Sequence, residues 1–288
     1  MTGKEIELRP ILEVDVDDVA LFLHEHLNVR VSPDSWKRLL APPWRSDAPN
    51  AGFQLLSNER VVGVYAAVYS ERDIDGTTLH FCNLAAFCVL DQYRAHSFRL
   101  LRAILGQKGY EFTDLSPSGN VIALNERLGF VRVDTSTTVA LNLPALPKRG
   151  VTISSASGVL ETTLKGADAA IYRDHRDAAA ARHIVITRGG DYAYLVFRKD
   201  RRKRLPIFAT PLYVGGSREL LRAAWPRIAA HLLLRHGLVA TLAEPRVLGF
   251  TPKLGRKLST PRTKMFRSKT VPADRLDYLY SELTLLEW

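Results

Sequence analysis

Hydrophobic and polar positions in the first half of the chain change period several times, which predicts a fold of mixed helices and strands. Asp75-Gly76 and residues 57–60 have turn composition and separate strand-like runs. Acidic residues at 15, 17 and 18 suit the first turn of a helix. The predicted strands are 6–10, 53–56, 61–69, 79–90 and 112–115, and the predicted helices are 15–27, 36–40, 95–107 and 120–128.

The second half has a similar but less regular pattern. Ser217 is a suitable N-cap for a helix that runs to His236, and Gly237 is a suitable stop. The only Gly-rich turn that follows the predicted 205–214 strand is Gly215-Gly216. The predicted strands are 151–154, 192–198, 205–214, 238–242 and 276–286, and the predicted helices are 158–182 and 217–236.

Residues 120–130 are the most informative segment. Val121, Leu124 and Leu128 fall at helical spacing, so they are expected to share one buried face. Gly129 suits the helix end because glycine adopts a left-handed conformation without a Cβ penalty. A strand is expected to restart at Phe130.

This segment resembles the helix-to-strand signature of the GNAT acyltransferases, N-x-x-A-x-x-x-Y-E-x-x-G-F. The tyrosine is missing, because Asn125 stands where that family usually has it. A compact version of the signature is matched by Asn120, Ala123, Glu126, Gly129 and Phe130.

Residues 89–102 resemble the turn V-x-P-x-Y-R-G-x-G-[IV]-G of the same family, whose amides face the coenzyme A pyrophosphate. Orphan N–H groups and the helix dipole attract anions at such a position. Val89, Tyr93 and Arg94 match, whereas Ala95 and Ser97 replace glycines. The resemblance implies these cofactor-binding residues: Cys88, Val89, Arg94, Ala95, His96, Ser97, Phe98, Arg99 and Asn120.

Three of these positions leave alternatives open. Arg99 either adds a charge-assisted bond to a phosphate or crowds the cleft. Arg94, Arg99 and Arg102 also suit an ordinary solvated helix face. Asn120 either bonds the pantetheine amides or serves as an N-cap.

The order of predicted elements through residue 143 is the GNAT order, and the resemblance therefore implies an α+β fold. The hypothesis is a pair of tandem GNAT-like domains, with mixed, mostly antiparallel sheets flanked by helices. The predicted domains are an acyl-CoA-binding domain at 1–143, a linker at 144–150 and a degenerate, basic GNAT-like domain at 151–288 whose cofactor cleft is inactive.

Acyl transfer from a thioester to an amine needs a base, an oxyanion donor and an acid. His80 and Asn83 lie on the predicted 79–90 strand, and His80 has a suitable intrinsic pKa for a base, although it also suits a half-exposed strand start. The backbone N–H of Cys88 or Val89 is the expected oxyanion donor.

The acid is harder to assign. Asn125 cannot release a proton at neutral pH, so Ser116, Ser118 or a water would replace the usual tyrosine. Asp114, at the end of its strand, faces either the acceptor or solvent. The candidate catalytic residues are thus His80, Asn83, Ser116 and Asn125.

The formal net charge of +10 is unevenly distributed. Residues 1–149 carry 16 Lys and Arg against 18 Asp and Glu, whereas the remainder carries 24 against 12. This asymmetry favours two domains with different electrostatic roles. The basic runs at 198–204 and 245–269 suit either a polyanion or a solvated surface, and the mix of apolar and basic residues in the second run suggests an ordered loop.

Composition limits the compartment and the chemistry. Cys82 and Cys88 lie six residues apart, so on one strand they would share a face but be too distant to bridge. Two reduced thiols, a polar N-terminus and the lack of an apolar run of ~18–20 residues favour a cytoplasmic protein. The eight histidines are dispersed, and no metal site is predicted.

The sequence therefore predicts a coenzyme A-dependent acyltransferase that moves an acetyl or longer acyl group from acyl-CoA to an amine or hydroxyl. The expected acceptor is a small, sugar-type or lipid-linked molecule, with negative charge suggested by the basic half. Two alternatives remain: an aminoacyl-tRNA-dependent transferase of the tandem-GNAT type, which would bind RNA, and an inactive ligand-binding module.

Overall fold

The computed structural model describes residues 6–146, 149–202 and 205–287. They form two compact units, each assembled from separate parts of the chain. Unit 1 contains residues 6–133, 263–276 and 280–286. Unit 2 contains residues 134–262, apart from the undescribed positions, together with 277–279 and 287.

The elements of unit 1 come first along the chain and return near its end. Its strands are β1 (Ile6–Pro10), β2 (Gly52–Ser57), β3 (Arg60–Ile74), β4 (Thr77–Val89), β5 (Tyr110–Asp114) and β6 (Val131–Arg132). Its helices are α1 (Val16–His26), α2 (Pro33–Leu40), α3 (Ser97–Leu105) and α4 (Gly119–Arg127).

Unit 2 occupies the stretch of chain between these elements and the returning segments. Its strands are β7 (Thr138–Leu141), β8 (Val151–Ser154), β9 (Arg182–Arg188), β10 (Asp191–Arg202), β11 (Leu205–Gly216), β12 (Ala240–Ala243) and β13 (Gly255–Lys257). Its helices are α5 (Ser157–Thr163), α6 (Gly166–His175), α7 (Arg218–His236) and α8 (Pro245–Leu248). Unit 1 then regains β14 (Met265–Arg267) and α9 (Glu282–Leu285).

The sheet of unit 1 has the order β1-β2-β3-β4-β5-β14-β6. Its neighbours pair antiparallel except for β4 and β5, which pair parallel. The β2–β3 and β3–β4 hairpins turn at Asn58-Glu59 and Asp75-Gly76, where all four residues have positive φ. Such turns match the twist of the paired strands, and the two turns predicted from composition are confirmed.

A hydrophobic core lies between one face of this sheet and α3. Leu100, Leu101 and Ile104 of the helix pack against Ala67 and Tyr69 of β3, and all five side chains are buried. Cys82, Leu84 and Phe112 extend the same core along β4 and β5. Helical spacing predicts a core face of Phe98, Leu101, Ile104 and Leu105. Leu101 and Ile104 are buried and Leu105 is partly buried, whereas Phe98 is 54% exposed, so the prediction was wrong at Phe98.

A bulge in β4 reverses the strand's faces. Ala66 pairs with Ala86 and Ala67 pairs with Leu84, so Ala85 is the extra residue on β4. Cys82 therefore lies on the core face, whereas Cys88, opposite Val64, lies on the other face. The expectation that the two cysteines share a face was wrong, because simple alternation does not anticipate a bulge.

Unit 2 repeats this plan. Its sheet has the order β13-β7-β12-β11-β10-β9-β8, and β11 and β12 are its parallel pair. A bulge again lies on the longer of the two parallel strands, because Val196 pairs with Tyr213 and Phe197 with Pro211. The Ser217 cap and the left-handed Gly237 stop of α7 are confirmed. The predicted α+β fold with two mostly antiparallel sheets flanked by helices is thus confirmed.

Several element predictions differ from the structure. Residues 276–286 form no strand; they include α9 and follow a 3₁₀ turn at Ala273–Arg275. The single helix predicted over 158–182 is two helices that break at Lys165, which has extended φ and ψ. The short strands β13 and β14 were not predicted, since three residues are too few to establish a period of two.

The units also differ from the predicted domains. β7 lies before the predicted linker, yet it pairs with β12 and β13 in the sheet of unit 2. Conversely, β14 lies deep in the predicted second domain, yet it fills the position between β5 and β6 in unit 1. Each sheet is therefore completed by a strand from the other half of the sequence.

Because β7 and β14 each complete the sheet of the other half of the sequence, we expect that the chain cannot be divided at residue 143 into two independently folding parts. A fragment of residues 1–143 should show no cooperative thermal transition by circular dichroism, because its sheet lacks β14 and α9. Co-expression with residues 144–288 should restore the cooperative transition. A sharp transition of the isolated fragment at the melting temperature of the full chain would contradict the expectation.

Candidate active site

Strands β4 and β5 separate partway along β4, and we call the gap between them the fork. Their parallel ladder runs from His80 opposite Tyr110 to Asn83 opposite Thr113 and ends there, while β4 continues to Val89. The Leu90 N–H donates to the Val62 carbonyl (3.0 Å), so alternation directs the N–H groups of Phe87 and Val89 away from β3. These amides face the open side of the fork.

A carboxylate from the far end of the chain lies at the base of the fork. The Oε2 atom of Glu282 accepts a hydrogen bond from Asn83 Nδ2 (2.5 Å), and its Oε1 accepts one from the Ser116 hydroxyl (2.7 Å). Glu282 is the first residue of α9 and is fully buried. Thr113 donates to Asn83 Oδ1 (2.9 Å), which fixes the amide with its NH₂ toward Glu282. Glu282 thus bridges the two arms of the fork.

A second carboxyl lies on the opposite face of the same strands. Asp114 ends β5 and follows Phe112 by two residues, so it shares the face of the α3 core. Asn125 Nδ2 of α4 donates to Asp114 Oδ2 (2.8 Å). Burial, aided by the negative charge of Glu282, raises the pKa of Asp114 to about 7, although its bonds with Asn125 and the Ser116 backbone oppose the rise. The group can therefore hold or release a proton near neutral pH.

Among the described side chains of α4, Asn125 is the buried one, which the sequence pattern did not indicate. Val121 and Leu128 are half-buried and Leu124 is 37% exposed, so the predicted apolar face was wrong at Leu124. Asn125 is fully buried, and its Oδ1 has no hydrogen-bond partner among the described residues. Beyond α4, Gly129 is left-handed and Phe130 is buried, as predicted.

Aromatic side chains line the core face of the fork. Tyr65 and Phe87 lie opposite each other on β3 and β4, with ring centroids 4.7 Å apart. Tyr65 is buried, and desolvation with the charges of Asp114 and Glu282 raises its pKa well above its usual value. Phe87 remains 36% exposed. The fork therefore combines an accessible apolar surface with two carboxyl groups.

Of the four candidate catalytic residues, the structure brings three together. Asn83 and Ser116 bind Glu282, and Asn125 binds Asp114. His80 lies at the far end of the ladder, roughly 10 Å from Asn83 at about 3.3 Å per residue. Its half-exposed ring is 3.7 Å from a Glu71 oxygen, which matches the alternative of a half-exposed histidine near a strand start.

The turn between β4 and α3 is more tightly wound than the sequence pattern suggested. Asp91–His96 form a 3₁₀ helix that leads directly into α3. The Tyr93 N–H donates to the Leu90 carbonyl and the Ser97 N–H donates to the Arg94 carbonyl, so these two amides already have partners. Donors for an anion must come from other groups of the turn, such as the Ser97 hydroxyl.

The side chains around this turn point in several directions. Arg94 forms an exposed ion pair with Asp91 (2.8 Å), and Arg99 donates to the Ile6 carbonyl (2.9 Å), so Arg99 does not fold into the turn. Ala95 and Phe98 are exposed, and His96 is half-buried. Asn120 begins α4 with the preceding residue, but its side chain lies outside what the structure describes.

The equivalent turn in unit 2 is closed by its own side chains. A Cβ on Gly215 would lie 1.9 Å from Asp168 Oδ1, so the carboxylate is packed directly against the glycine. The Tyr192 and Tyr213 hydroxyls each donate to Asp168 (2.8 Å). Ser217 uses its N–H for the Tyr192 carbonyl and its hydroxyl to cap α7. An acidic side chain thus occupies the place where a phosphate would need donors.

The two basic runs have mixed surroundings. In the first, Arg198 is 1% exposed while Lys199 and Arg201 are exposed, and residues 203 and 204 lie outside the described residues. In the second, Arg256 and Lys257 form the exposed edge strand β13, whereas Lys264 is buried. Neither run is uniformly solvated.

The fold is shared with solved acetyltransferases. A GCN5-related N-acetyltransferase from Anabaena variabilis ATCC 29413 has a TM-score of 0.60 and 12% identity, over 91% of this chain and 72% of that one. A putative acetyltransferase from Pyrococcus horikoshii has a TM-score of 0.53 and 12% identity, over 98% and 97%. A fungal glucosamine N-acetyltransferase region, within a GH3 β-N-acetylglucosaminidase, has a TM-score of 0.57 and 12% identity, over 92% and 38%.

These likenesses identify the fold of the chain as that of the GCN5-related N-acetyltransferases. By sequence, neither a family model nor a curated protein matches the chain. Within the described residues, no helix has the length and apolarity that crossing a bilayer requires.

The pKa of Asp114 predicts how stability depends on pH. The folded protein keeps this proton above pH 3.8, where the unfolded chain loses it, so the free energy of unfolding should fall between about pH 4 and pH 7. Asp114→Asn does not titrate and should gain stability relative to the wild type across that window, by up to roughly 4 kcal/mol at about 1.4 kcal/mol per pKa unit. Chemical denaturation at several pH values would measure it.

Asp177→Asn is the matched control, because this aspartate is exposed and forms only a surface ion pair with Arg176. Its stability should follow that of the wild type at each pH. A constant difference between Asp114→Asn and the wild type from pH 4 to pH 8 would show that Asp114 ionises normally.

Proposed function

We propose that the chain is a coenzyme A-dependent N-acyltransferase whose donor lies in the fork of unit 1. The observation that carries the proposal is the buried Glu282 carboxylate at the base of the fork, held by Asn83 and Ser116. The shared fold supports acyl transfer as the reaction, and a fixed carboxylate is a suitable base that the sequence alone did not reveal.

The donor side of the fork has features that suit an acyl-pantetheine arm. The N–H groups of Phe87 and Val89 face its open side and can bind amide carbonyls or the thioester oxygen. The exposed ring of Phe87 offers an apolar contact for the acyl chain. Beyond Val89, the Ser97 hydroxyl at the start of α3 can donate to a diphosphate.

The acceptor side is acidic and therefore suits a protonated amine. Glu282 lies on the face of Asn83 and Thr113, and α9 packs beside α2. Ser116 is exposed and its hydroxyl donates to Glu282, so the proton of an ammonium group can pass through this hydroxyl to the carboxylate, leaving the neutral amine to attack the thioester carbon. An amino sugar is a suitable first acceptor, since one protein of the same fold is a glucosamine N-acetyltransferase region.

Ser97→Asp tests the donor site. An acidic residue at the first position of α3 suits the helix dipole, so the fold should be retained. The added charge would face the diphosphate, and the Kd for acetyl-CoA, measured by titration calorimetry, should rise by roughly tenfold or more, about 1.4 kcal/mol.

Ser157→Asp provides the control, because Ser157 is likewise the first residue of a helix but belongs to α5 in unit 2. Its Kd should equal that of the wild type. The proposed donor site would be disproved by a wild type that shows no binding heat with millimolar acetyl-CoA.

Glu282→Gln tests the base. Glutamine keeps the size of the side chain but cannot accept the ammonium proton, so kcat for acetyl transfer to glucosamine should fall by roughly 10²- to 10⁴-fold. The Kd for acetyl-CoA should change little. Release of free thiol in the presence and absence of glucosamine measures the reaction, and unchanged kcat in this variant would assign the base elsewhere.

A further inference from the structure

We infer that Asp114 donates the proton that the leaving coenzyme A thiolate takes up, and that Asn125 is the positioning residue that holds Asp114 in both of its protonation states. The inference rests on the proposed function. It replaces the missing tyrosine of α4 by a pair of residues, one on β5 and one on α4, joined by the bond from Asn125 Nδ2 to Asp114 Oδ2 (2.8 Å).

The position of Asp114 suits this role. It comes one residue after the last pair of the β4–β5 ladder, so it stands where the two strands have separated. Its face is that of Tyr65 and Phe87, the donor side, whereas Glu282 binds on the face of Asn83. The base and the acid therefore lie on opposite faces of one fork, with the reacting carbonyl expected between them.

The groups around Asp114 favour its protonated form. Burial and the negative charge of Glu282 both raise the pKa of Asp114. From β3, Tyr65 is buried and stays neutral, because its own pKa is raised. From β4, burial raises the pKa of the Cys82 thiol to about 12. From β14, the residue opposite Asp114 is the apolar Met265.

Asn125 can serve either state of its partner because an amide has both a donor and an acceptor. Its Nδ2 donates to Asp114 Oδ2, a bond that favours the ionised carboxylate. After a flip of the amide, its Oδ1, which has no partner among the described residues, would accept from the protonated carboxyl. A buried carbonyl oxygen without a hydrogen bond lowers the stability of the fold. A hydrogen bond that this atom accepts from a proton-bearing Asp114 oxygen would give it a partner during proton transfer.

Acyl transfer by these groups conserves atoms and charge. The neutral amine forms the C–N bond, and collapse of the tetrahedral adduct breaks the C–S bond with its electron pair on sulfur. The sulfur takes the Asp114 proton, and the nitrogen loses its extra proton to Glu282. Glu282 has by then released to water the proton that it first took from the ammonium group, so it can accept this second proton. Loss of the second proton from Glu282 and uptake of a proton by the Asp114 carboxylate, both by exchange with water, reset the two groups, and one proton is released overall.

Two measurements on the full chain test the inference. In the first, the pH dependence of kcat with acetyl-CoA and glucosamine is compared for the wild type, Asp114→Asn and the control Asp177→Asn. The wild-type rate should fall as pH rises through the Asp114 titration. Asp114→Asn should be slower by roughly 10²-fold at lower pH and lack that decline, whereas Asp177→Asn should match the wild type.

The second measurement needs no turnover. Carboxyl ¹³C NMR of aspartate-labelled protein follows the Asp114 titration directly, with Asp114→Asn used to assign its signal. Asn125→Leu should move the midpoint to higher pH, because it removes a bond that favours the carboxylate, and Glu282→Gln should move it to lower pH, because it removes a negative charge.

The outcomes separate the two proposals. A wild type that binds acetyl-CoA and releases thiol, while Asp114→Asn keeps its full rate and alkaline decline, would overturn the acid assignment and leave the proposed function standing. A wild type that neither binds acetyl-CoA nor turns over would overturn both. Opposite midpoint shifts in Asn125→Leu and Glu282→Gln, with the predicted rate loss in Asp114→Asn, support the inference.

Discussion

The hydrogen bonds of Glu282 are the interaction on which the candidate site depends. A carboxylate that is removed from water is stable only if donors replace its hydration, and here Asn83 and Ser116 supply them from the two arms of the fork. Thr113 in turn orients Asn83. Apolar residues of similar size would often fill the same space at least as stably. Stability alone therefore does not account for a carboxylate at this position, which supports the proposed role of Glu282 as a base.

This arrangement joins segments that are far apart in the sequence. Glu282 is 199 residues from Asn83 in sequence, and it returns to unit 1 after the chain has built unit 2. β14 makes the same return and pairs with β5 at Asp114. The two returning segments therefore support both carboxyl groups, which links the completion of the fold to the completion of the site.

Sequence reasoning identified local features well and long-range ones poorly. The turns, the end of α4 at Gly129 and the polar positions Asn83, Ser116 and Asn125 follow from residues close together in the chain. The position of Glu282 beside Asn83 and Ser116 did not follow, because Glu282 lies in a run of buried residues that has the composition of a strand. The bulge at Ala85 and the exchange of β7 and β14 depend on pairings between distant segments, which periodicity cannot reveal.

A comparison of the two units shows which parts of the plan the chemistry needs. Both have a short parallel ladder, a bulge on the longer strand and a helix that follows it. In unit 2, Asp168 is packed against Gly215 and bonded by two tyrosines, so an internal anion already occupies the turn. In unit 1, the corresponding turn carries no such carboxylate among the described contacts, and the buried acids lie deeper, at the fork. The same scaffold thus uses an acidic side chain to close the turn of unit 2, whereas in unit 1 the buried acids lie at the fork, where we propose that they transfer protons.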